Sequence, residues 1–317
     1  MPTKPALAAL ALLLAGALAA PSLPAHAEAA APATPTAAAQ APRASGRIEV
    51  RGVSYYYEVR GTGEPLLLLH GGLGSIDMFA PLLPVLAEQR AVIAIDLQGH
   101  GRTTLGNRPI RLPDIGDDVA DVLKALGYRQ VDVFGYSLGA GVALRLAAQH
   151  PEAVRRLALA SGVYSPDGFY PEMLPQQAAV GAAMADFMKD TPMYRSYAAV
   201  APVPGDFPRL LDAMGAWMRT PYDWSAEVKA LAMPVMLVFA DSDMIRPEHM
   251  VSFYQLLGGG LRDAGWGRET MAKNRLAIIP DATHYDIFAS PVLARTVLPF
   301  LNGESGAKSW ADLVDGR

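Results

Sequence analysis

The chain has 317 residues, 51% of them hydrophobic and 18% charged, with a formal net charge of −4 and no cysteine. That much apolar content over this length supports a full buried core, excludes general disorder, and suits one large α/β domain carrying an insertion. Basic residues never cluster, which excludes the cationic stripe that nucleic-acid binding needs, and the lack of cysteine excludes disulfides and a lipidated N-terminal cysteine.

Lys4 opens a short positive region, residues 6–20 (ALAALALLLAGALAA) form an apolar core, and Ala25-His26-Ala27 fits a small-x-small cleavage site. The apolar stretch is shorter than the ~20 residues that span a bilayer. Residues 1–27 are therefore expected to be a cleaved secretory signal, leaving a periplasmic or secreted protein with no stable membrane anchor. Residues 28–45 are rich in Ala and Pro without a hydrophobic period and read as a disordered spacer. The main domain is expected over residues 46–303, and the tail, 304–317, carries no recognisable chemistry.

The runs RIEV and VSYYYEV flank Arg51-Gly52, the pattern of a hairpin. Short runs that are wholly apolar follow at 65–70, 91–96, 131–136, 156–161, 234–240 and 275–280, as expected of strands buried on both faces of a parallel sheet. Between the second and third of these, Ile115, Val119, Val122, Leu123 and Leu126 repeat at helical spacing, with acidic residues near the start and Gly127 at the end. Strands alternating with helices predict an α/β fold built on a doubly wound, mostly parallel sheet with right-handed crossovers.

The stretch at about 162–230 is too long for an ordinary crossover and reads as a helical cap inserted after the sixth strand. In it Val180, Met184, Phe187 and Met188 fall at i, i+4, i+7 and i+8, and Leu210, Met214, Trp217 and Met218 repeat that spacing, which predicts two amphipathic helices. Met184, Met188 and Trp217 are candidate pocket residues, because methionines and aromatics make adaptable apolar surfaces. For each of them alone, packing of the cap on the sheet is the plainer reading. Residues 258–274, with several glycines, read as a loop.

The stretch VFGYSLGAGVA, 133–143, places Ser137 between the end of an apolar strand and a helix that runs to His150-Pro151. A sharp turn there strains the serine backbone, and residues two positions away must be small, which is what Gly135 and Gly139 supply. The serine would project at a helix start, where N–H groups and the dipole favour negative charge. A hydroxyl is a poor nucleophile at neutral pH, so it needs a base, usually an imidazole held in one tautomer by a carboxylate.

This elbow, together with HGGLG (70–74), DLQGHGR (96–102), an acid after a later strand and a histidine after the last, resembles the α/β-hydrolase superfamily over nearly all of residues 47–303. The resemblance implies an α/β-hydrolase fold with Ser137 as nucleophile and His284, in PDATHYDIF, as base. It implies Asp243, in the pattern D-x-[IV]-x-P, as the acid, with Asp241 as the fallback. Backbone N–H groups of Leu138 and Gly72 would form the oxyanion hole, Leu73 being the substitute for Gly72. Of the other histidines, His26 leaves with the signal, His70 and His100 lie in the Gly-rich loops, His150 ends the elbow helix, and His249 lies in a helix of ordinary composition. Asp96 and its loop suit structural turn roles. Asp281 and Asp286 are close to His284 in sequence, which does not establish geometry.

The GGLG run lacks the spacing of a phosphate cradle, no cluster has metal-ligand spacing, and no nicotinamide or flavin fingerprint is present, so no metal and no cofactor is implied. The expected function is a secreted or periplasmic serine hydrolase that cleaves carboxylic esters of small molecules through an acyl-enzyme. Esters are favoured over amides by their better leaving group. Lactone, thioester or carbon–carbon bond hydrolysis and perhydrolysis use the same machinery, and a non-catalytic ligand-binding relative is the competing class. A serine at the elbow argues against haloalkane dehalogenases and epoxide hydrolases, whose elbows carry aspartate. Nothing in the sequence sets the oligomeric state.

Overall fold

The computed structural model describes residues 42–304 and 308–314. The expected signal and residues 28–41 of the expected spacer lie outside them. Eight strands form one sheet: β1 Ala44–Val50, β2 Val53–Arg60, β3 Glu64–Leu69, β4 Arg90–Ile95, β5 Val131–Tyr136, β6 Val154–Ala160, β7 Val235–Ser242 and β8 Arg275–Thr283. Their order is β1-β2-β4-β3-β5-β6-β7-β8. β1 and β2 pair antiparallel, as do β2 and β4, and every pairing from β4 onward is parallel.

Helices α1 Leu83–Ala87, α2 Leu112–Ala125 and α3 Leu138–Gln149 follow β3, β4 and β5. The segment between β6 and β7 carries α4 Met173–Ala178, α5 Ala185–Met188, α6 Pro192–Val200, α7 Phe207–Met218 and α8 Ser225–Ala230. α9 Pro247–Leu256, α10 Pro291–Leu301 and α11 Trp310–Val314 complete the chain. None of the described helices is long and apolar enough to cross a membrane.

Alternation along each strand divides the core in two, because successive side chains point to opposite faces. Leu67, Leu69, Ile93, Ile95, Val133, Leu157 and Leu237 pack with α2, α3 and α7 on one face. Leu66, Leu68, Val92, Ala94, Phe134 and Val238 pack with α1 and α10 on the other. Burial on both faces is why these strands read as unbroken apolar runs. The sheet order reverses around β3, which pairs with β4 on one side and β5 on the other, so the loops at its C-terminal edge diverge and leave a crevice there.

The hairpin turns at Arg51 (φ +46°) and Gly52 (φ +79°). β1 begins earlier than composition suggested. Ala44 and Ser45, assigned to the spacer, are strand residues opposite Val59 and Glu58, because pairing with β2 satisfies a backbone that the side chains alone do not commit. The first of the two expected cap helices is also interrupted. Gly181 is extended, so Val180 is not helical, residues 182–184 form a single 3₁₀ turn, and α5 is only four residues long. The second, α7, is continuous. Residues 258–274 contain neither strand nor helix, and Trp266 there meets Trp310 of α11 with ring centroids 5.2 Å apart, both rings largely exposed.

Candidate active site

Ser137 joins β5 to α3 with φ +53° and ψ −115°, a strained conformation for a residue other than glycine, worth about 1–3 kcal/mol. Its N–H donates to the Ala160 carbonyl at 2.9 Å, tying the turn to β6. A Cβ on Gly135 would lie 2.3 Å from the Gly139 carbonyl oxygen, and one on Gly139 would lie 2.3 Å from that of Leu69. Backbone therefore crosses backbone on both sides of the serine, and only glycine fits.

The Ser137 hydroxyl lies 3.0 Å from His284 Nε2, and His284 Nδ1 lies 2.8 Å from Asp243 Oδ1. His284 and Asp243 are buried, at 5% and 7% exposure. The second oxygen of Asp243 accepts the Ser161 hydroxyl at 2.6 Å and the Ala240 N–H at 3.2 Å. Burial pushes the Asp243 carboxyl upward, but the bonds from His284, Ser161 and Ala240 outweigh it and hold the group below the usual carboxylate range. An ionised Asp243 accepts from Nδ1–H and leaves Nε2 unprotonated toward the serine. Tyr136 donates its hydroxyl to the His284 carbonyl, fixing the loop after β8.

Asp241, the fallback acid, is elsewhere. It is exposed and accepts the N–H groups of Asp281 and Ala282 at 3.1 and 3.2 Å, which joins the ends of β7 and β8. Asp286 accepts from Thr283 and takes no part in the relay.

Gly72 and Leu138 border the same cavity as Ser137. Leu138 is the first residue of α3, where N–H groups have no partner within the helix. The loop holding Gly72 is anchored from two directions. His70 donates from Nδ1 to the Gly71 carbonyl at 2.7 Å and accepts the Leu97 N–H on Nε2 at 3.0 Å, which fixes its tautomer. Burial keeps it neutral, with its pKa pushed down to about 4. Asp96 accepts the N–H groups of Ile76 and Arg102, both at 2.7 Å, and so clamps the loop after β3 to the loop after β4. Its carboxyl is pushed up to about 6 by burial, against those donors. Leu73 turns the loop at φ +55°.

The cavity, about 110 Å³, has Leu112, Phe169, Met214, Trp217, Tyr222 and Trp224 in its walls. Of the three expected pocket residues, Trp217 is there. Met184 and Met188 are not. Both are buried in the core, because the interrupted helix turns them inward toward α7. Phe187, of the same stripe, faces outward at 42% exposure. Sequence reasoning missed the role of Ser161, the last residue of the 156–161 run and the first after β6, and the aromatic pair Tyr222 and Trp224, which sit in a connection without periodicity. His249 is structural: its ring stacks on Tyr164 at 4.1 Å. No group of three or more His, Cys, Asp or Glu among the described residues could hold a metal ion.

A family model for the alpha/beta hydrolase fold matches residues 64–191. The chain is 37% identical over 112 residues to an uncharacterized hydrolase of Bacillus subtilis, across 35% of this chain and 41% of that protein, so it spans less than half of that relative's length. It is 30% identical over 243 residues to the pimeloyl-(acyl-carrier protein) methyl ester esterase of Neisseria meningitidis, across 70% of this chain and 89% of that one. A thermophilic esterase from Thermogutta terrifontis superposes with a TM-score of 0.64 at 20% identity, over 82% of this chain and 99% of the other, a likeness of fold. The strand order, the turn at Ser137 and these matches agree, and the chain belongs to the α/β-hydrolase superfamily.

Proposed function

We propose that this protein is a serine hydrolase that cleaves carboxylic esters of small molecules, and that residues 1–27 direct its export to the periplasm or the medium. The observation that carries the enzymatic reading is the unbroken line from the strained Ser137 through His284 to a buried, ionised Asp243. The named esterases among the similar proteins support it.

In the proposed reaction His284 Nε2 takes the Ser137 proton as Oγ attacks the ester carbonyl. Asp243 holds the ring and favours the imidazolium that forms. The oxygen of the tetrahedral intermediate turns toward the N–H groups of Leu138 and Gly72, and losing one such donor typically slows reaction about a hundred- to a thousandfold. Collapse breaks the carbon–oxygen bond to the alcohol, which leaves with the proton from His284. Water then gives a proton to His284 as it attacks the acyl-serine, and collapse breaks the carbon–oxygen bond to Ser137 Oγ, which takes that proton back from His284 Nε2 as the acid leaves.

The test is hydrolysis of nitrophenyl esters, from acetyl to long acyl chains, by the protein without residues 1–27 and by its Ser137→Ala variant. The expected result is turnover of the shorter esters and a loss of about a thousandfold or more in the variant. Equal rates in both would overturn the role of Ser137. For export, the protein recovered outside the cytoplasm is expected to begin at Glu28, and retention of residues 1–27 would refute the cleavable signal.

A further inference from the structure

We infer that the acyl group this site accepts is short, uncharged and aromatic, an inference that rests on the ester-hydrolase reading above. Size sets the first limit. An apolar cavity of ~150 Å³ holds a benzene ring, and the space beside Ser137, about 110 Å³, is smaller, so its occupant is at most one flat ring or a chain of a few carbons. A long acyl chain exceeds this space and would have to run out over its rim.

Shape sets the second limit. Trp217, Tyr222 and Trp224 form a ladder of nearly parallel rings, with centroids 6.3 and 4.3 Å apart and interplanar angles of 19° and 28°. The lowest rung is held firmly: Trp224 is buried and lies 5.3 Å below the Arg145 guanidinium, itself paired with Glu227 at 2.9 Å. A rigid aromatic wall favours a planar guest, which gains offset or edge contacts that an aliphatic chain lacks.

Charge sets the third. None of the side chains lining the cavity is charged. Arg145 is engaged by Glu227 and Gln149, and Arg219 donates to the Ala178 and Val180 carbonyls. Arg111 lies in a surface groove on the other side of the ladder. A carboxylate entering this cavity would lose its water and meet no cation. The cavity is bounded by Ser137, Gly72 and Leu138, and the inference assigns it to the group that remains on the serine after the alcohol departs.

The experiment follows proton release from methyl esters, which hold the alcohol constant: methyl phenylacetate, methyl butyrate, monomethyl succinate and methyl palmitate. Labelling of Ser137 by a fluorophosphonate is read in parallel. Phenylacetate is expected to exceed monomethyl succinate and palmitate in kcat/KM by about a hundredfold, from the desolvation and fit arguments. Trp217→Ala is expected to lower the ratio of phenylacetate to butyrate about tenfold by removing a stacking face. Gln177→Arg, on the cavity wall, is expected to raise the ratio of succinate to phenylacetate about tenfold by supplying a cation. Preference for the anionic or the long ester in the wild type, or ratios unmoved by both variants, would overturn the inference. So would selectivity that follows the alcohol across a set of acetates. If Ser137 is neither labelled nor needed for any turnover, the ester-hydrolase reading itself fails, an outcome distinct from a labelled enzyme with the wrong acyl preference.

Discussion

Ser161 follows β6 at φ +51°, with its N–H on the Val238 carbonyl and its hydroxyl on Asp243. It makes no hydrogen bond to Ser137 or His284, so its effect on the relay runs through the carboxylate, although it also borders the cavity. A hydrogen bond to a charged group contributes about 1.5–3 kcal/mol, and this one favours the ionised form of Asp243. Ser161→Ala is expected to lower kcat about tenfold. It should also move the acid limb of kcat against pH upward, since the carboxylate loses a donor and binds protons more readily. A variant with reduced kcat and an unmoved limb would make Ser161 a packing residue only. Asp241 makes the complementary point. Its two N–H donors hold its carboxyl below the usual range, yet it faces solvent and serves the β7–β8 junction. Ionisation alone does not mark the acid of the relay; position relative to His284 does.

The turn at Ser137 depends on how closely α3 passes the end of β3. Gly139→Ala would drive a methyl group against the Leu69 and His70 carbonyls, at 2.3 and 2.6 Å. Neither is a flexible side chain, so helix and strand must separate. The expected destabilisation is about 3 kcal/mol or more, read as a lower urea midpoint with m unchanged, and wild-type stability would refute this account. The elbow and the strands were legible in the sequence for the same reason: steric demands and burial on both faces act locally and leave few residue types that satisfy them. The cap was legible only in part. The repeat in α7 is continuous and places Leu210 and Met214 correctly in the core, but Gly181 breaks the repeat before it. Which face of a short helix meets a cavity depends on its neighbours. The ladder residues Tyr222 and Trp224 precede α8 in a connection with no period to read, and Ser161 needed the fold to bring it to Asp243.

Outside the relay, three histidines are buried as neutral rings: burial pushes His70 to about 4, His100 to about 3 and His249 to about 4, all below the ordinary 6.5. Between pH 6.5 and 4 the unfolded chain binds more protons at these sites than the folded one, so stability present above about 6.5 is lost as pH falls. Asp96 works in the opposite sense. Its folded pKa of about 6 exceeds the ordinary 3.8, so the folded state takes up its proton first and offsets part of the loss as pH falls from about 6. With three groups against one, the urea midpoint is expected to drop between pH 7 and pH 5. A flat profile over that interval would show that these rings are not kept neutral by the fold. The chain's four tryptophans are also divided between two distant tasks: Trp217 and Trp224 line the cavity, while Trp266 and Trp310 face each other on the surface. The protein thus carries a built-in optical reporter, in which an occupant of the cavity meets one pair and leaves the other untouched, and no dye need be attached to follow occupancy.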